Sequence, residues 1–369
     1  MNTTITTIKE RMSSEYAWRR LRQFNDIDRA LSHLLKARDI PRSQHSNARK
    51  QLQQLAFSVQ QAFEFAKVSE NTGSTTRPLL TYYALTSLAN AEILWKGSGD
   101  QSFDRRESRY NGHGLELIRA DGILEYSARA NANLSGLFGL WRQHSAHAPL
   151  CGKRTLNDHE VTTETHVPIS LQTALKDVEP HLHPISLLEC LSNIPALQDS
   201  MNKYGFTPKL ARGYVEKQLR IDENQIPTKS QFLITIHPCA PETFNDVVSM
   251  FEFPPRYVDK VQTRGNYNSI AAAVDVTDPF YFRMPEGFYL DKRNTYFIGS
   301  GGHLNEFGYY YVSLYICGMI SRYYPHVWIK ELKKDSYVIT LIDEFVDHAL
   351  DRLPLLTAGV LTNEIFLYD

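Results

Sequence analysis

The segment from Arg77 to Trp95 constrains the fold of this chain most. It reads Arg-Pro-Leu-Leu-Thr-Tyr-Tyr-Ala-Leu-Thr-Ser-Leu-Ala-Asn-Ala-Glu-Ile-Leu-Trp and is apolar nearly all round. Pro78 suits a first helical turn, where its missing N–H costs nothing, and Gly97 and Gly99 end the run. A helix with apolar residues on every side belongs in the middle of a bundle, so the chain has to supply other helices to cover it.

Covering helices are legible on both sides. From Ser46 to Val68 the residues Leu52, Leu55, Ala56, Val59, Phe63 and Ala66 fall on one stripe, with Ser46 as the expected N-cap. Towards the C-terminus Phe307, Tyr310, Tyr311, Leu314, Tyr315 and Gly318 share one face, and Asn305 is the expected cap. Val338, Leu341, Ile342, Phe345, Val346, Ala349 and Leu350 form the cleanest stripe. Asp343, Glu344, Asp347 and Asp351 lie off it, as a solvated acidic face would. Ile185 to Leu197 reads as a short amphipathic helix. The region from about 206 to 302 carries strand grammar: Phe232–His237, Ser269–Val276, Phe280–Phe282 and Thr295–Ile298 are short, β-branched and aromatic, with Pro and Gly between them. The expected class is α+β, predominantly helical, a helical bundle with a β-rich region inserted before the C-terminal helices. The expected units are 1–205, 206–302 and 303–369, the last packing on the N-terminal bundle.

Charge and composition exclude some functions. With 369 residues and a net charge of -1 the whole protein is no nucleic-acid coat, although Arg19, Arg20 and Arg22, and again Arg105, Arg106 and Arg109, form local basic patches. Cys151, Cys190, Cys239 and Cys317 are scattered without a CxxC, which suits a reducing compartment. The N-terminus has no apolar signal core, and no window approaches about 18 uninterrupted apolar residues, so the expected location is the cytoplasm, without a membrane partner.

Three stretches carry a family resemblance. They are Arg77 to Ala91 followed by His113-Gly114-Leu115, then Ile185 to Pro195, then Tyr309 to Trp328 with Ser321-Arg322-Tyr323-Tyr324-Pro325. In order and approximate spacing they resemble the YaaC-like family over about residues 50–366. That family implies no reaction; Arg77, Tyr82, Tyr83 and Arg322, which lie in these stretches, are expected to be structural or interface residues.

The Tyr-Tyr-Ala helix, the loop and the His-Gly-Leu that follow are also similar to the HEPN (higher eukaryotes and prokaryotes nucleotide-binding) superfamily, with a core over about 46–145. Many of its members are metal-independent ribonucleases of toxin and antiphage systems, with an arginine four to six residues ahead of a histidine, a spacing that Arg106 meets at its long end and Arg109 does not. Arg106 precedes His113 with six residues between them and Arg109 with three. This resemblance implies RNA or a nucleotide as partner, His113 as the proton-transfer residue and Arg106 or Arg109 as the phosphate clamp, with no cofactor. The chemistry is coherent: an imidazole moves the proton of a ribose hydroxyl, and a guanidinium fork holds the phosphate. The plainer reading makes Gly112-His113-Gly114 a turn with the imidazole bonded to a backbone carbonyl.

Other motifs stay open. Gly299-Ser300-Gly301-Gly302-His303 joins an expected strand to an expected helix, either as a tight turn or as a phosphate cradle built from Gly299, Gly301, Gly302 and His303. His144, His147, His159, His166, His181 and His183 cluster without a cysteine at metal-ligand spacing, so no metal is expected. Arg322 ends an apolar run, where it can favour a helix C-terminus or pair with a carboxylate across the core. Three functions remain: a HEPN-like effector on RNA or nucleotides, a non-catalytic subunit that docks a protein partner or a second copy, and a nucleotide sensor using the glycine loop.

Overall fold

The computed structural model describes residues 4–8, 13–38, 40–97, 99–145, 155–158, 161–164, 184–206, 210–221, 223–224, 227–236, 258–264, 267–275, 288–291, 294–298, 304–334 and 336–368. A first strand, β1 (Thr4–Ile8), precedes α1 (Ser13–Arg22), α2 (Ile27–Ala37), α3 (His45–Glu70) and α4 (Arg77–Lys96). Then come β2 (Leu115–Ile118), β3 (Ser127–Ala130), α5 (Gly136–His144), β4 (Thr155–Asp158), β5 (Val161–Glu164), β6 (Ile185–Ser186), α6 (Leu187–Ser192) and α7 (Gln198–Lys203). The β-rich region holds β7 (Leu210–Ile221), β8 (Pro227–Ile236), β9 (Val258–Arg264), β10 (Tyr267–Asp275), β11 (Phe288–Asp291) and β12 (Asn294–Ile298). The chain closes with α8 (Glu306–Tyr323), α9 (Pro325–Lys333), α10 (Tyr337–Thr362) and β13 (Glu364–Tyr368). The fold is α+β and predominantly helical, with the strands of the middle region ahead of the C-terminal helices.

α4 sits where its composition requires. It packs along α3 and also meets α5, α8 and α10. Tyr82, Leu85, Ala89, Ile93 and Leu94 are fully buried, and Gly97 caps the helix in an extended conformation. Burial of each large apolar side chain stabilises the fold by roughly 1.5–3 kcal/mol, far more than helix propensity contributes.

α8 departs from the one-sided stripe. Every residue from Glu306 to Ile320 is buried, so it is a second interior helix, in contact with α4, α6, α9 and α10. Periodicity fails there because its tyrosines read as amphipathic while their rings pack inside, as with Tyr310 on Phe345 at 5.7 Å. Asn305 caps it, its Oδ1 accepting from Gly308 N at 2.8 Å.

Other local expectations are corrected. Ser46 lies inside α3, which follows directly on a 3-10 turn at Arg42–Gln44. Ile185–Leu197 is broken into β6, α6 and a 3-10 turn that begins at Pro195, where the helix cannot continue. The acidic side of α10 is solvent-facing at Asp347 and Asp351, as expected, and half-buried at Asp343 and Glu344, and it also makes docking contacts. Asp343 accepts from Ser74, Asp347 pairs with Arg77, Glu344 accepts from Ser200 and Asp351 accepts from Ser13.

Among the described residues there are three sheets. β1 and β13 run parallel, joining the two ends of the described chain. β2, β3 and β6 form a small antiparallel sheet in that order. The largest sheet has the order β11-β12-β7-β8-β10-β9; β12 and β5 share one edge of β7, β12 along its first part and β5 along its last. Strands expected at 232–237, 269–276 and 295–298 correspond to β8, β10 and β12. The expected strand at 280–282 and the glycine loop with His303 lie outside the described residues.

Candidate functional site

His113 is held by backbone. Gly112 and Gly114 both have positive φ, +114° and +80°, so the turn needs glycine on each side of the histidine. The carbonyls of Gly112 and His113 accept from Leu137 N at 2.8 Å and Phe138 N at 3.0 Å, in the first turn of α5. Gly136 (φ +74°) lies so close that an added Cβ would stand 2.3 Å from Gly114 Cα. The turn is thus locked onto the helix N-terminus, and the imidazole projects from a fixed base.

The ring is half-buried among phenols. Its Nδ1 lies 2.9 Å from the Tyr82 hydroxyl, with the Tyr82 and Tyr315 rings at 5.5 Å and 5.8 Å. The turn reading holds for the backbone; the imidazole, however, bonds a tyrosine and not a carbonyl. Nε2 has no hydrogen-bond partner among the described residues. Tyr315 in turn donates to the Leu115 carbonyl at 2.8 Å, fixing the wall of the site to β2.

Burial lowers the His113 pKa below its ordinary 6.5, and the positive charge of Arg322 lowers it further. The imidazole is therefore neutral at pH 7. Burial and neighbouring phenols raise Tyr82, and burial raises Tyr311 and lifts Tyr315 to about 12, so these hydroxyls stay protonated. Arg322, at the end of α8, is exposed. Its Nη1 donates to the Tyr83 hydroxyl at 2.9 Å, and its guanidinium lies 4.9 Å from the Tyr323 ring. It has no carboxylate partner among the described residues, so the expected pairing across the core is not made.

The two arginines placed near His113 by sequence spacing are engaged elsewhere. Arg106 donates to Asn90 Oδ1 at 2.7 Å and to the Gln101 carbonyl at 3.4 Å, and lies over Phe103; burial lowers its pKa to about 10. Exposed Arg109 pairs with Glu107 at 2.9 Å and stacks on Tyr110. Arg77 pairs with Asp347 and so ties α4 to α10, and buried Tyr82 and half-buried Tyr83 link α4 to the site. Local spacing offered no signal for Arg322, which reaches the site only because α8 packs on α4. His144 Nδ1 donates to the Leu140 carbonyl at 3.0 Å. His147, His159, His166, His181 and His183 lie outside the described residues. Among the described residues, no three His, Cys, Asp or Glu side chains are grouped to hold a metal, and no helix is long and apolar enough to cross a membrane.

The cluster thus offers a neutral imidazole with one nitrogen uncommitted, an unpaired exposed cation and several protonated phenols. Together these can accept a proton and bind an anion.

No curated protein and no solved structure matches the chain. The model of the YaaC-like protein family matches residues 21–361, a span that includes α4, the His113 turn and α8. The chain belongs to the YaaC-like protein family.

Proposed function

We propose that this protein is an effector acting on RNA or a nucleotide without metal assistance, with His113 as the proton-transfer residue and Arg322 as the phosphate-binding cation. The observation that carries this reading is the setting of His113: an imidazole kept neutral chiefly by burial, whose Nδ1 meets Tyr82 and which also feels the positive charge of Arg322. With Nδ1 donating to the Tyr82 oxygen, Nε2 carries the lone pair. It takes the proton of a ribose 2′-hydroxyl as the 2′-oxygen attacks phosphorus; the imidazolium then returns a proton to the departing 5′-oxygen. Arg322 balances the charge that gathers on the non-bridging oxygens. A toxin-like or antiphage role is part of this reading through the local resemblance to the HEPN superfamily, from which it departs in taking Arg322 and not Arg106 or Arg109 as the clamp.

The test is RNA degradation in excess EDTA. Wild type is expected to cleave, His113→Ala to lose about 10²–10⁴-fold and Arg322→Ala about 10²-fold. An Arg106→Gln variant that loses as much as Arg322→Ala returns the clamp to Arg106. A second reading, a non-catalytic interaction subunit, draws on the exposed Phe57 and Val68 of α3, 62% and 53% accessible. Pure wild type that cleaves nothing, alone or with the products of its genomic neighbours, favours that second reading.

A further inference from the structure

Away from His113, Arg20 of the basic cluster of α1 borders a cavity of about 140 Å³. Its apolar wall is made by Phe24, Trp95 and Leu361, with the Phe24 and Trp95 rings edge-on at 5.1 Å. Its polar wall carries Arg20, Arg29, His33 and Glu364. Glu364 is already matched: it forms an ion pair with Arg20 and accepts from Thr6 at 3.1 Å. Arg20 also donates to Gln23 at 3.0 Å, while its Nε is sealed from solvent without a partner among the described residues. Arg29 and His33 stand one turn apart on α2, so their side chains share a face. Neither has a carboxylate partner among the described residues.

A cavity of this size admits a single ring bearing one acidic group. Two aromatic rings and a leucine favour a flat apolar body, and two uncommitted basic side chains favour one negative charge.

We propose that this cavity is a binding site for a small aromatic carboxylate, its ring against Phe24 and Trp95 and its carboxylate on Arg29 and His33. The site is independent of the chemistry assigned to His113. Trp95 makes it readable by intrinsic fluorescence. Benzoate is expected to quench the full-length protein saturably at pH 6 and to raise its melting temperature. Benzamide, the same shape without the charge, is expected to bind at least about tenfold more weakly. The exposed double substitution Arg29→Gln/His33→Gln is expected to leave the unliganded melting temperature unchanged and to weaken benzoate about tenfold. Trp95→Phe removes the quench and keeps the thermal shift. A linear, unsaturable quench, equal binding of benzamide, or a double variant that binds benzoate like wild type overturns the proposal.

Discussion

Nδ1 of His113 meets the Tyr82 hydroxyl at 2.9 Å, and this contact fixes the ring's orientation and the tautomers open to it. Arg322 adds the second influence, disfavouring the imidazolium. The pH dependence follows. A base must be neutral to act, and the kcat/KM profile reports the free enzyme, so the acid limb should lie below pH 6.5. In Arg322→Gln one of the two lowering causes is gone, and the limb should move up towards 6.5 even as the rate falls. A limb that stays in place would separate Arg322 from His113. At this scale the sequence was half legible. Gly112-His113-Gly114 announces a special backbone, and the histidine stands out within it. Arg106 and Arg109 are neighbours in sequence, but their donors go to Asn90, Gln101 and Glu107. Arg322 comes from a distant helix, which no local spacing can reveal.

At the scale of elements, the loop carrying His113 is pinned to α5 through glycines. An added Cβ at Gly136 would meet Gly114 Cα and N at 2.3 Å, and its φ of +74° suits glycine alone. Gly136→Ala should destabilise the protein by about 3 kcal/mol or more, and Gly73→Ala, where nothing lies within 4 Å, should be near neutral. Equal denaturation midpoints for the two variants would contradict the docking of the turn. Residues of this kind show in sequence only as glycines; the approach that requires them is tertiary. α4 was legible because its apolar residues leave no polar side. α8 was read as one-sided because tyrosine has a polar tip, yet its Tyr311 hydroxyl is buried and, among the described residues, makes no close hydrogen bond. α10 shows the converse: its apolar stripe was plain, but carboxylates opposite it form specific contacts to Ser13, Ser74, Arg77 and Ser200.

Over the whole molecule, two interior helices, α4 and α8, hold the site between them, and β1 with β13 joins the ends of the described chain. The strand-rich middle was legible from β-branched and aromatic runs; the partnership of β7 with β5, from well before that region, was not, because pairing is non-local. Two half-buried histidines, His113 and His144, have lowered pKa values, with burial the larger cause in each. Their unfolded forms take up protons first as pH falls, so their contribution is full above about 6.5 and is lost below it. The melting temperature should therefore drop between pH 7 and pH 5, and His144→Gln should shrink that drop; an unchanged slope would contradict it. The central claim, that His113 and Arg322 serve one phosphate, is tested most directly by proton NMR of the His113 ring, assigned through His113→Gln, with adenosine monophosphate added. A bound dianion should raise the His113 pKa in wild type and leave it unmoved in Arg322→Gln. A His113 titration that ignores the nucleotide in wild type, or responds equally in both proteins, would contradict the claim.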